Sequence, residues 1–288
     1  MKTKQKIAII SIIISIIVIS SITILNPQLV DRAFYRMGLQ EQICFPVINE
    51  EFQSDNVTNI VAAGDFGINE NSIKTLKNIQ SSNPEVILML GDLGQSTSKE
   101  WIELSELMDR NKMYIALGDG DLLERNDYLR YSAITDDYYS FDYQNIHFLA
   151  ISTNEEKNNE LGILSDVIQI DFIKDDLSNA ADDPKTDWIV VFLHHPMYTS
   201  IPNLYSMDLR SLLQPTFDLY GVDLVINGHK HVYERTNPVT FNNTITDNEN
   251  CSYDDPNGQI YLTIGTGGHS HNKFKQKQSW SVVQNHND

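Results

Sequence analysis

From residue 57 onward, short apolar runs rich in β-branched residues alternate with amphipathic stretches. The runs are Val57–Ala63, Val86–Leu90, Met113–Leu117, Ile146–Ser152, Trp188–Leu193, Val222–Ile226 and Gln259–Ile264, and their lengths and content predict strands. Between them Ser72–Gln80, Lys99–Arg110, Asp166–Leu177 and Met207–Tyr220 carry helical spacing, with Ser98 and Ser206 placed as N-caps. Such alternation predicts an α/β fold whose strands are buried on both faces. Tyr138–Tyr143 followed by Ile146–Ser152 reads as a hairpin, which predicts mixed sheets. No linker interrupts 57–270. The pattern assigns no element after 272, so 57–272 is read as one domain, 26–56 as a connector and 273–288 as a tail.

The first 25 residues follow a different rule. Lys2, Lys4 and Lys6 precede an uncharged stretch, Ile7–Leu25, broken only by Ser and Thr. As a helix this stretch spans about 28 Å, close to a bilayer's hydrocarbon core, and Asn26-Pro27 stops it. It is longer than a signal peptide's apolar region and no Ala-x-Ala site follows. The reading is a single-pass signal-anchor over 7–25, with 1–6 cytoplasmic and the domain outside; the alternative is secretion after cleavage. Export permits a Cys44–Cys251 disulfide.

Composition narrows the classes. The 288 residues carry 21 Lys+Arg against 39 Asp+Glu, a formal net charge of −18, with 41% hydrophobic residues. That is a globular composition, and its charge argues against nucleic acid as a partner. Two cysteines build neither a disulfide scaffold nor a Cys-rich zinc site.

The candidate chemistry lies at the carboxyl ends of the predicted strands, where ligand sites form in α/β folds. Gly64-Asp65, Gly91-Asp92, Gly118-Asp119-Gly120-Asp121, His194-His195-Pro196 and Gly228-His229-Lys230-His231 end successive strands. With 14 Gly and 25 Asp, chance gives about one Gly-Asp pair; four occur, and Gly-His-x-His appears again as Gly268-His269-Ser270-His271. Carboxylates and imidazoles are the ligands of Zn, Fe or Mn. Glycine before each lets the chain turn sharply and approach an ion closely. Three Asp and three His exceed one tetrahedral ion and suit two ions sharing a carboxylate, about 3.5–4 Å apart.

The same residues carry a resemblance. GDFG, GDLG, GDGD, HHP and GHKH are similar to the ordered motifs of the calcineurin-like metallophosphoesterases. YYSFDYQNIHFLAIST, WIVVFLHHPMYTS, GHKHVYERTNPV and IYLTIGTGG resemble the purple acid phosphatase branch. The resemblance implies an αββα sandwich of two mixed β-sheets flanked by helices. It implies that Asp92 bridges two metal ions, that Asp65 and His231 complete the first, and that Asp119, His194 and His229 complete the second. The implied activity is hydrolysis of a phosphate ester, taken as a monoester, by a metal-bridging hydroxide.

Three departures set expectations apart from the branch. Gln95 stands where the purple members place Tyr, so the two divalent or mixed-valence ions form no tyrosinate–iron centre. Asp119 replaces the usual Asn ligand and adds negative charge. Gly120 replaces the His that contacts phosphate and protonates the leaving group. His269 or His271 is the candidate replacement, Asp121 a candidate partner of a ligand His, and His195 a pocket or orienting residue. His147 reads as a core or hairpin residue. Two other readings stay open: a phosphodiesterase on the same scaffold, and a metal-binding module with weakened catalysis.

Overall fold

A computed structural model describes residues 58–94, 98–132, 134, 136–157, 160–162, 167–241, 244–245, 253 and 256–285. The expected membrane segment, the connector, both cysteines and Gln95 lie outside the described residues. Among the described residues no helix is long and apolar enough to cross a membrane.

The chain forms two main sheets. β1 (Ile60–Ala63), β2 (Val86–Met89) and β3 (Met113–Ile115) pair in parallel, each followed by a polar loop. The larger sheet also uses β4 (Tyr139–Tyr143), β5 (Ile146–Ile151), β8 (Trp188–Leu193), β9 (Leu224–Asn227), β10 (Tyr233–Thr236), β13 (Ile260–Ile264) and β14 (Ser281–Asn285). Its order is β14-β10-β13-β9-β8-β5-β4, with β5, β8, β9 and β13 parallel and β4, β10 and β14 antiparallel to their neighbours. Two short pairs lie outside it: β6 (Glu155–Lys157) with β7 (Glu160–Gly162), and β11 (Val239–Thr240) with β12 (Thr244–Ile245).

The period-two alternation of strand side chains sorts the apolar residues into three layers. Val86, Leu88 and Leu90 of the smaller sheet meet Phe148, Ala150, Val190, Phe192 and Ile226 of the larger, all buried between the sheets. The opposite faces bury Ile87, Met89 and Ile115 on one side, and Leu149, Ile151, Val191 and Leu193 on the other. The first set is covered by α1 (Glu70–Ser81), α2 (Ser98–Ser105) and α3 (Arg125–Ser132). The second is covered by α4 (Val167–Asp182) and α5 (Ser206–Tyr220). This is helix, sheet, sheet, helix.

Local corrections follow from hydrogen bonding. α1 starts at Glu70, because Asn69 Oδ1 accepts from the N–H groups of Asn71 and Ser72. Ser206 does not cap α5; it is the first helical residue and its Oγ donates to Pro196 O at 2.6 Å. Ser98 likewise begins α2, its Oγ donating to Asp127 at 3.1 Å and its N–H to Glu124. The stretch expected to be a tail supplies β14, which pairs with β10.

Candidate metal centre

All the strands that run parallel in both sheets deliver their carboxyl ends to one edge, and the polar loops meet there. Backbone bonds stitch the sheets together at this edge: Gly64 N donates to Ile264 O at 3.2 Å and Gly267 N to Gly64 O at 2.8 Å, while within the larger sheet Gly228 N donates to His194 O at 3.1 Å.

The loops place carboxylates and imidazoles in contact. Asp119 Oδ1 lies 3.1 Å from His194 Nε2, 3.3 Å from His229 Nδ1 and 3.4 Å from His195 Nε2. Asp92 Oδ1 lies 3.5 Å from His194 Nε2, and His231 Nε2 lies 3.4 Å from Asp65 Oδ1. Two groups have ligand atoms close enough to share an ion: Asp119, His194, His195 and His229, and Asp65, Asp92 and His194. His194 belongs to both.

The imidazoles are aimed by the hydrogen bonds on their far sides. His194 Nδ1 donates to Leu90 O at 2.7 Å and His231 Nδ1 to Ser270 O at 2.8 Å. A proton fixed on Nδ1 leaves the Nε2 lone pair facing the cluster, as metal ligation requires. His195 Nδ1 shares a 2.8 Å hydrogen bond with Thr153 Oγ1.

The electrostatics ask for cations. Asp65 is fully buried; its Oδ2 accepts from His229 N at 2.8 Å, while its Oδ1 is buried without a hydrogen-bond partner. Such an orphan costs about 1–3 kcal/mol unless something else satisfies it. Burial acts against a charge on His194, yet the carboxylates of Asp92, Asp119 and Asp65 hold its pKa up at about 10. Asp119 is held well below the usual carboxylate range by its hydrogen bonds with His194 and His229. Burial, aided by His194 and His229, pushes His195 down to about 2. Clustered carboxylates that otherwise hold a proton on His194, with one buried oxygen unsatisfied, fit a metal pair whose charge would replace that proton.

The backbone is bent to achieve this. Asp65, Asp92 and His229 sit at φ of 60°, 50° and 66°, a left-handed conformation that is costly outside glycine and clusters at functional sites. Most of the sharp turning thus falls on the chemical residues themselves. The preceding glycines serve close approach: a Cβ at Gly118 would lie 2.2 Å from Asp92 Oδ1. Gly91 serves both, with φ of +85° and Gly118 N at 2.5 Å from its built Cβ.

A calcineurin-like phosphoesterase family model matches residues 58–233, more than half of the chain and every loop just described except the last. The chain belongs to the calcineurin-like phosphoesterase family. It is similar to purple acid phosphatase 23 of Arabidopsis thaliana, 23% identical over 82% of this chain and 59% of that protein. It therefore spans little more than half of that relative. Among solved structures it is similar to purple acid phosphatase PPD1 from yellow lupin, Lupinus luteus. The TM-score is 0.62 and the identity 22%, over 81% of this chain and 48% of that one. GAP50, described as the anchor in the inner membrane complex of Plasmodium, matches with a TM-score of 0.61 and 19% identity, over 80% and 78% of the two chains. At these identities the structural likeness is one of fold.

The structure places several of the sequence-predicted residues as follows. Asp121 does not partner a ligand imidazole. It is buried, and its carboxylate accepts from Leu93 N and Gly118 N, both at 2.9 Å, tying the Asp92 loop to the Asp119 loop. Burial raises its pKa to about 7 against those two bonds. His195, expected as a pocket or orienting residue, stands beside Asp119. Gly120 donates its N–H to Asp92 Oδ1 at 2.8 Å.

The second Gly-His-x-His backs the first. His269 lies against His231 with ring centroids 4.2 Å apart. Its N–H donates to Asp65 O at 3.0 Å, and Asn272 Oδ1 accepts from His231 N at 3.0 Å. His271 lines a cleft beside His269. Thr153 and Asn154 were not anticipated; Asn154 Nδ2 donates to Leu117 O at 2.7 Å, bracing the Asp119 loop. The repeated motif was the one signal that could have placed the buttress.

Proposed function

We propose that the chain is a dinuclear-metal phosphatase acting on phosphate monoesters, anchored by residues 7–25 with its domain on the extracytoplasmic side. The carrying observation is the set of aimed imidazoles around Asp65, Asp92 and Asp119, with Asp65 Oδ1 buried and unsatisfied. Family membership and likeness to purple acid phosphatases support it.

In this reading Asp65, Asp92 and His231 would hold one ion, and Asp92, Asp119, His194 and His229 would hold the other. The pair, which Fe, Mn or Zn would suit, supplies charge stabilisation and an activated nucleophile. Leu90 O and Ser270 O keep His194 and His231 in the ligating tautomer. Asp121 fixes the spacing of two ligand loops. His195, kept neutral by burial, contributes a neutral ring beside Asp119 rather than a cation. With Gly120 in place of an imidazole, His269, whose ring lies against His231 and also lines the neighbouring cleft, is the imidazole this reading assigns to the phosphate or the leaving group. Gln95 supplies no phenolate, so the loaded protein lacks a tyrosinate–iron band in its visible spectrum.

Gly120 favours two other outcomes, a diesterase or a binding module, and one assay separates them. The metal-loaded protein is given p-nitrophenyl phosphate and bis-(p-nitrophenyl) phosphate. A higher kcat/KM on the monoester supports the proposal. Preference for the diester overturns the monoesterase, and no turnover of either leaves a binding module. Fractionation tests the anchor. The full chain should remain with membranes after alkaline extraction and be shaved by external protease; a mature form starting after Leu25 in the medium would contradict it.

A further inference from the structure

A cleft of about 570 Å³ opens beside the cluster, between α1 and the loop after β13. Asn71, Lys74 and Asn78 enter it from one face of α1, and Thr266, His269 and His271 from the loop. One lysine and two histidines line it, and no carboxylate does, in a chain of net charge −18. Lys74 is exposed and makes no ion pair among the described residues. His269 joins the cleft to the cluster through its ring contact with His231 and its bond to Asp65 O.

Ammonium, amide, hydroxyl and imidazole groups around one open space match an anionic, oxygen-rich group. An apolar leaving group would strip these polar groups of water and return nothing. Resting on the phosphatase reading above, we infer that this cleft is a leaving-group subsite selecting phosphate esters that carry a second anion, a carboxylate or another phosphate. The reaction is ordinary hydrolysis: a water oxygen bonds to phosphorus, the P–O ester bond breaks, and the leaving oxygen takes a proton. Lys74 pairs with the second anion and touches no reacting atom.

The test uses the full, metal-loaded chain and two matched substrate pairs. One is glycerol 3-phosphate against 3-phosphoglycerate; the other is fructose 6-phosphate against fructose 1,6-bisphosphate. Wild type should favour the member with the second anion in at least one pair by about fivefold in kcat/KM, mostly through KM, the size of one partly screened charge pair. The pair that responds tells carboxylate from phosphate. Lys74→Ala should remove that preference and leave glycerol 3-phosphate within about twofold. No preference in either pair, or equal loss on both members, overturns the inference. Turnover of glycerol 3-phosphate tests the phosphatase reading separately. Should it be absent, calorimetric titration with 3-phosphoglycerate and glycerol 3-phosphate decides: tighter binding of the former, lost in Lys74→Ala, supports the subsite, and equal affinities refute it.

Discussion

Asp92 holds a left-handed backbone, accepts from Gly120 N and lies within ligand reach of His194. Its surroundings leave almost no slack. Gly118→Ala would drive a methyl group against the Asp92 carboxylate, 2.2 Å from Oδ1, so the variant should lose metal and at least about 100-fold in kcat/KM while remaining folded. Metal analysis beside circular dichroism checks this; retained metal would refute it. Gly120 is different. Its built Cβ lies 3.0 Å from Asp92 Oδ1, a contact that a small shift relieves. Gly120→His should therefore raise kcat on p-nitrophenyl phosphate by about tenfold or more, by returning an imidazole to the phosphate. A fall would mean that the strain on Asp92 outweighs the gained group. Asp65, Asp92, Asp119, His194, His229 and His231 were legible because Gly-Asp, His-His or Gly-His-x-His patterns mark each. Thr153 and Asn154 were not, because single hydrogen bonds to a ring nitrogen and a distant carbonyl leave no pattern in the chain.

At the scale of elements, the β4–β5 hairpin is tied to α4 by a buried imidazole. His147 Nδ1 lies 2.7 Å from Asp142 Oδ1 and Nε2 lies 2.9 Å from Asp176 Oδ2. Burial lowers the pKa of His147, but its bonds to Asp176 and Asp142 more than offset this, and the net shift is upward. A raised folded pKa contributes stability that is fully present below the unfolded value of about 6.5 and is lost as pH rises through the folded value. The stability difference between wild type and His147→Gln should thus be largest near about pH 5–6 and shrink toward alkaline pH. Denaturant midpoints across pH measure it, and a difference that grows with pH would contradict the account. The hairpin and the central strands were readable from apolar runs. α3 was not, since Arg125–Ser132 buries only Tyr128 and Leu129. β14 was not either, because a five-residue edge strand with only two adjacent valines among Ser, Gln and Asn has no apolar run to betray it.

Across the whole molecule, the cluster sits where loops of both sheets converge, so metal should bind the two layers together. Chelation should lower Tm by about 5–10 °C, the effect of a ligand present well above its dissociation constant on a chain of this size, and Mn or Zn should restore it. An unchanged Tm would mean that the site is empty or loosely held. The α/β class was legible from the alternation, whereas the order of the layers came only with the family resemblance. The pairing of β10 with both β13 and β14 was not, because long-range register has no local signature.

The most direct test measures metal content per chain and p-nitrophenyl phosphate hydrolysis on one preparation, wild type against Asp92→Asn. The account predicts about two metals per wild-type chain with turnover. It predicts metal loss and at least about 100-fold lower kcat/KM in the variant. A wild-type chain that takes up no metal, or a variant that keeps both metal and activity, would contradict it.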